Sequence, residues 1–154
     1  MRQIELHIDP IPADADGLAV AQAVALAKAS TLNGALIADS KWKADSVGTR
    51  LSRRIGILSA ADDSGITFAV VGFDPDGNAQ TESITGSSGA PGTAESTGYY
   101  SEITSITSSG AAAGNVSVGT VDEFMTNTIP LNVYHGDQSL LSLERFTGTI
   151  NVTV

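Results

Sequence analysis

From Ile55 to Gly119 the sequence runs as short stretches rich in β-branched residues, each closed by a cluster of turn formers. The stretches are IGIL, ITFAVV, AQTESIT, YYSEITSIT and NVSVG, and between them lie ADDSG, DPDG, GSSGAPG and SSGAAAG. Branched side chains fit a pleated surface, whereas Gly, Pro, Asp and Asn supply the backbone angles and local hydrogen bonds of tight reversals. Strands at this spacing, with no helical period between them, predict an all-β chain, an antiparallel β-sandwich or a jelly-roll or barrel-like body. The last part continues the pattern in IPLNVY, SLLSL and FTGTINVTV.

The start of the chain divides into an arm, residues 1–16, and a single β-domain, residues 17–154. Ile4, Leu6 and Ile8 alternate with Glu5 and His7, the period of a half-buried strand. Pro10 and Pro12 stop that strand and DADG forms a turn, so the arm suits an edge or an addition to a neighbour's sheet. GLAVAQAVALAKAS, residues 17–30, is ambiguous: Ala and Leu favour helix, yet alanines also alternate with Val20, Val24 and Leu26. TLNGAL then reads as a strand bent at Asn33-Gly34.

Charge narrows the partners. Seventeen acidic against eight basic residues leave a net charge of −9, a surface that repels phosphate and disfavours nucleic acid or an anionic membrane. Solubility alone would also explain it. Hydrophobic residues make up 42% and charged ones 16%, enough apolar material for a packed core. Cysteine is absent, which excludes disulfides, thiolate metal sites and Cys nucleophiles. MRQIELHIDP does not resemble a secretory signal, and the apolar run Leu18 to Ala29 is too short to span a bilayer, so a soluble chain is expected.

No catalytic constellation emerges. Asp74, Asp76 and Asn78 have the oxygen spacing that opens a calcium loop, but the positions needing Gly and Glu hold Ala79 and Thr85. Asp76-Gly77 between two alternating runs instead predicts a β-hairpin, and Asp62-Asp63 the preceding turn. His7 and His135 lack a nucleophile motif, and GSSGAPG lacks the GK[ST] of a phosphate loop. No metal, cofactor or catalytic residue is therefore expected. Lys41, Lys43, Arg50, Arg53 and Arg54 make KWKADSVGTRLSRR a basic segment around the lone Trp42. It reads either as a solvated loop with one anchoring indole or as a docking surface for an acidic partner.

Arg53 to Gly119 resembles a group of small tailed-bacteriophage virion proteins. The pattern is a DDSG turn at Asp62 to Gly65, an ITF strand from Ile66 and a D-x-x-GN hairpin from Asp74 to Asn78. A TG-closed strand at Glu82 to Gly86, an SITSSG-type turn within Ile103 to Gly110 and a closing VSVG at Val116 to Gly119 complete it. The resemblance extends back through LNGALIAD and forward to FTGTINVTV, and it favours extended structure over residues 19–38. It implies a non-enzymatic capsid decoration (cement) protein on the outer shell, bridging major capsid protein subunits, as a homo-oligomer with a trimer favoured. A neck, tail or fibre component touching a host glycan is the alternative. A secreted carbohydrate-binding module or small hydrolase is disfavoured by the scarcity of aromatic residues. Ile4, Leu6, Ile8, Trp42, Arg50, Arg53 and Arg54, with the C-terminal strand, are the expected partner contacts.

Overall fold

A computed structural model describes residues 12–44, 52–125, 134–135 and 138–139. All regular structure among them is β, as expected. The strands are β1 Ala19–Ala23, β2 Trp42–Lys43, β3 Ser52–Ser59, β4 Thr67–Phe73, β5 Ala79–Thr85, β6 Gly92–Glu95, β7 Glu102–Ser108, β8 Asn115–Met125, β9 Tyr134–His135 and β10 Gln138–Ser139. Two four-stranded antiparallel sheets, ordered β1-β8-β3-β6 and β2-β7-β4-β5, form a β-sandwich. The short β9 and β10 pair separately, His135 opposite Gln138.

Alternation fills the space between the sheets. Phe68 and Val70 of β4 are fully buried, while Val71 is only partly covered and Phe73 is exposed. Ile55 and Ile57 of β3, Val116 and Val118 of β8, and Ile103 and Ile106 of β7 complete the same layer. Each such side chain removed from water contributes about 1.5–3 kcal/mol. Those that the pleat aims inward, with one irregularity in β7 that brings Ile103 and Ile106 to the same side, therefore decide the fold.

The alanine-rich segment is not helical. Ala19–Ala23 pairs with β8, with an irregularity between Ala19 and Gln22, and the chain reverses at Leu26-Ala27. Ala29 then bridges Thr107, so the segment passes from one sheet to the other. Helix propensity among these residues is worth only tenths of a kcal/mol each, less than a β8 edge offers in paired backbone and covered Leu18. The loop that follows folds back on β1, where Gly34 N–H donates to Leu18 O at 3.0 Å. A Cβ on Gly34 would lie 2.2 Å from the Gly17 carbonyl, so this crossing admits only glycine.

Candidate functional site

The basic segment divides between core and surface. Ala38 and Lys41 close a two-residue turn in which Asp39 and Ser40 have φ of 52° and 64°. That reversal delivers Trp42 opposite Ile103, where the indole is 2% exposed. The expectation of Trp42 as an external contact is thus corrected: its flat apolar ring fills the gap between the sheets. The charged neighbours stay outside. Lys41 Nζ lies 2.9 Å from Glu102 Oε1 and Lys43 Nζ 4.0 Å from Glu102 Oε2, so two cations share one carboxylate.

Arg53 is also corrected as a surface contact. It is 5% exposed and its Nη1 donates to Val121 O at 3.0 Å. Its backbone exchanges two hydrogen bonds with Tyr100. Burial lowers its pKa, opposed by nearby Asp122. Arg54 is half-buried: Nε donates to Ser96 O at 2.5 Å and Nη2 meets Glu95 at 3.1 Å. Both guanidiniums thus tie the start of β3 to its neighbours. Ile4, Leu6, Ile8 and Arg50 lie outside the described residues, as do His7 and the C-terminal strand.

The acidic turns are structural. Asp74 Oδ1 accepts from the backbone N–H groups of Asp76 at 2.8 Å and Asn78 at 2.9 Å, and Asn78 Nδ2 donates to Oδ2 at 3.1 Å. Gly77 takes φ of 83°, and β4 and β5 flank the turn, so DPDGN is the hairpin expected. Asp62 Oδ1 accepts from the backbone N–H and hydroxyl of Ser64, which hold its carboxyl below the usual range. Asp63 turns inward and is 3% exposed. Its Oδ1 accepts Ala113 N–H at 2.7 Å, its own N–H donates to Ser87 O at 2.9 Å, and its carbonyl accepts Ile66 N–H at 3.0 Å. One residue therefore joins three loops at one end of the sandwich; its Oδ2 has no partner.

At the margin of β5 another carboxylate holds a loop. Glu82 Oε1 accepts Thr97 N–H at 2.7 Å and its hydroxyl at 2.9 Å, and Oε2 accepts Gly98 N–H at 3.1 Å. Gln80 Nε2 donates to Tyr99 O at 3.3 Å. Beneath this clasp Tyr100 is buried, and burial raises its pKa. Gln80 lies close enough to oppose that rise, although its amide is aligned on Tyr99, and Glu82 adds to it. The Tyr100 hydroxyl makes no hydrogen bond of regular geometry.

Sequence reasoning did not single out Glu82 or the edge it guards. The signal was present: in AQTESIT the one charge falls on the parity of Ile84, which is buried, and the opposite parity is uncharged. Among the described residues no three His, Asp or Glu side chains gather as a metal site would require, and no helix is long and apolar enough to cross a membrane. Comparison with known proteins finds no match among family models, curated proteins or solved structures.

Proposed function

We propose that the chain is a structural protein of a tailed-bacteriophage particle: a capsid decoration protein on the outer shell, without enzymatic activity, that bridges neighbouring copies of the major capsid protein. The observation that carries this reading is the ordered series of turns in the resemblance. The segments at Asp62 to Gly65, Asp74 to Asn78 and Val116 to Gly119 occupy successive reversals and strands of one sandwich. Support also comes from the roles of the polar side chains: the described acidic turns and both arginines are engaged in holding loops and strands. A rigid body of this kind stabilises a shell by burying area across subunit joints. With Trp42 and Arg53 internal, the exposed basic groups among the described residues of that segment include Lys43 and Lys41, whose side chains are 69% and 44% open beside Glu102.

The test mixes purified protein with undecorated capsids. Saturable binding at hundreds of copies per particle, with a raised temperature of capsid disruption, is the expected result. Absence of saturable binding would remove the decoration role, and a dozen or fewer copies in intact particles would move the protein to the neck or tail.

A further inference from the structure

Asn33-Gly34 is the one place in the chain where glycine follows asparagine. In an open chain such a pair reacts with itself, because glycine has no side chain to keep its nitrogen from the neighbouring carboxamide. The Gly34 nitrogen bonds to Asn33 Cγ, the bond from Cγ to the side-chain nitrogen breaks, and that nitrogen leaves as ammonia with the proton lost from Gly34. Water then adds to either carbonyl of the cyclic imide and breaks its bond to the ring nitrogen. One opening gives an ordinary aspartate. The other gives a β-linked aspartate, in which the main chain runs through the side chain and is one carbon longer.

The fold engages both reacting groups. Gly34 N–H donates to Leu18 O at 3.0 Å, so the attacking nitrogen keeps its proton. Asn33 Oδ1 accepts Val20 N–H at 3.1 Å, which holds the carboxamide toward β1. The chain is fastened on either side of the pair. Gln22 Nε2 donates to Thr31 O at 2.9 Å, Gln22 Oε1 accepts Thr31 N–H at 3.0 Å, and Leu36 N–H donates to Gly17 O at 2.8 Å. Asn33 is exposed to the water the reaction needs, but Gly34 is buried. A Cβ on Gly34 would lie 2.2 Å from the Gly17 carbonyl and 2.4 Å from Asp16 O, so the crossing has no room for an added carbon.

We infer that Asn33-Gly34 is a self-deamidation site that the docked loop holds inactive, so that a chain left open there acquires a lesion the fold does not accept back. The two products differ in this respect. The ordinary aspartate keeps the backbone and an oxygen for Val20 N–H, so its loop still docks. The β-linked product shifts Gly34 by one carbon, which takes the donor from Leu18 O and unseats the loop from Leu18, a fully buried side chain. Leu32, Leu36 and Ile37, which pack against the core, move with it. The inference stands on this crossing and not on the virion role.

Peptide mass spectrometry tests it. Cleavage after Lys28 and Lys41 releases ASTLNGALIADSK, residues 29–41, with a single asparagine. The full chain and that free peptide are held in the same mildly alkaline buffer, and conversion of Asn33 from amide to acid is followed in both. Conversion in the folded chain should be at least about tenfold slower, the factor imposed by a local opening that costs about 1.4 kcal/mol. Chains aged in guanidinium and then refolded should carry β-linked aspartate only in the fraction that fails to fold, while Asn33→Asp should refold as wild type does. A folded chain that converts as fast as the peptide, or β-linked aspartate equally abundant in the refolded fraction, overturns the inference.

Discussion

Replacing Asp63 by alanine removes one hydrogen bond and leaves another group stranded. The carboxylate is 3% exposed, and its Oδ1 accepts Ala113 N–H at 2.7 Å, the bond that anchors the loop before β8. A hydrogen bond to a charged group is worth about 1.5–3 kcal/mol, and the abandoned N–H carries its own desolvation penalty unless water enters. Asp63→Ala should therefore lower the unfolding free energy by about 2–3 kcal/mol, which for a domain of this size shifts Tm down by about 5–10 °C. Asp63→Asn separates geometry from charge. The amide oxygen keeps the bond to Ala113, and burial of a carboxylate with an unpartnered Oδ2 is relieved. That variant should stay within about 1 kcal/mol of wild type. Urea unfolding of the three proteins at pH 7, compared at equal m-values, is the assay. An alanine variant as stable as wild type would show that the bond from Ala113 N–H to the Asp63 side chain carries no net energy. An asparagine variant as weak as alanine would show that the negative charge itself is required, contrary to the hydrogen-bond account.

Three further outcomes follow from the same packing. Trp42→Ala should destabilise by about 3–5 kcal/mol, the range for emptying a buried aromatic site; unchanged stability with lost partner binding would return the indole to the surface. Tyr100 has a raised folded pKa, so its contribution is complete below the unfolded value near 10 and falls as pH rises through the folded one. Alkaline unfolding should thus be shallower in Tyr100→Phe, and a titration identical to wild type would exclude the residue as a source. Asp74→Ala removes the acceptor of two turn N–H groups and should cost about 1–2 kcal/mol, measured by thermal unfolding, with the β4–β5 register kept. Loss of the register would mean that the turn, not the paired strands, holds the hairpin.

The legible part of the fold was local. AQTESIT becomes β5 at Ala79–Thr85, and Asp74 to Asn78 makes the reversal before it, because alternation and turn chemistry act within a few residues of each other. β6 escaped notice because Gly92–Glu95 has little branched content and sits beside a Gly- and Pro-rich loop. It is a strand only because β3 stands ready to pair with it, Gly56 opposite Glu95. The alanine-rich segment was ambiguous for the same reason, and β8 resolved it.

What the sequence by itself determined was the class: short branched runs, tight reversals and an apolar content sufficient for two stacked sheets. Tertiary structure alone decided which residues face out. Basic neighbours suggested that Trp42 and Arg53 lie on the surface, yet both are buried. Exposure depends on which sheet lies across from a side chain, a relation between residues distant along the chain. The same holds for β5, which strand order, not composition, leaves last in its sheet among the described residues.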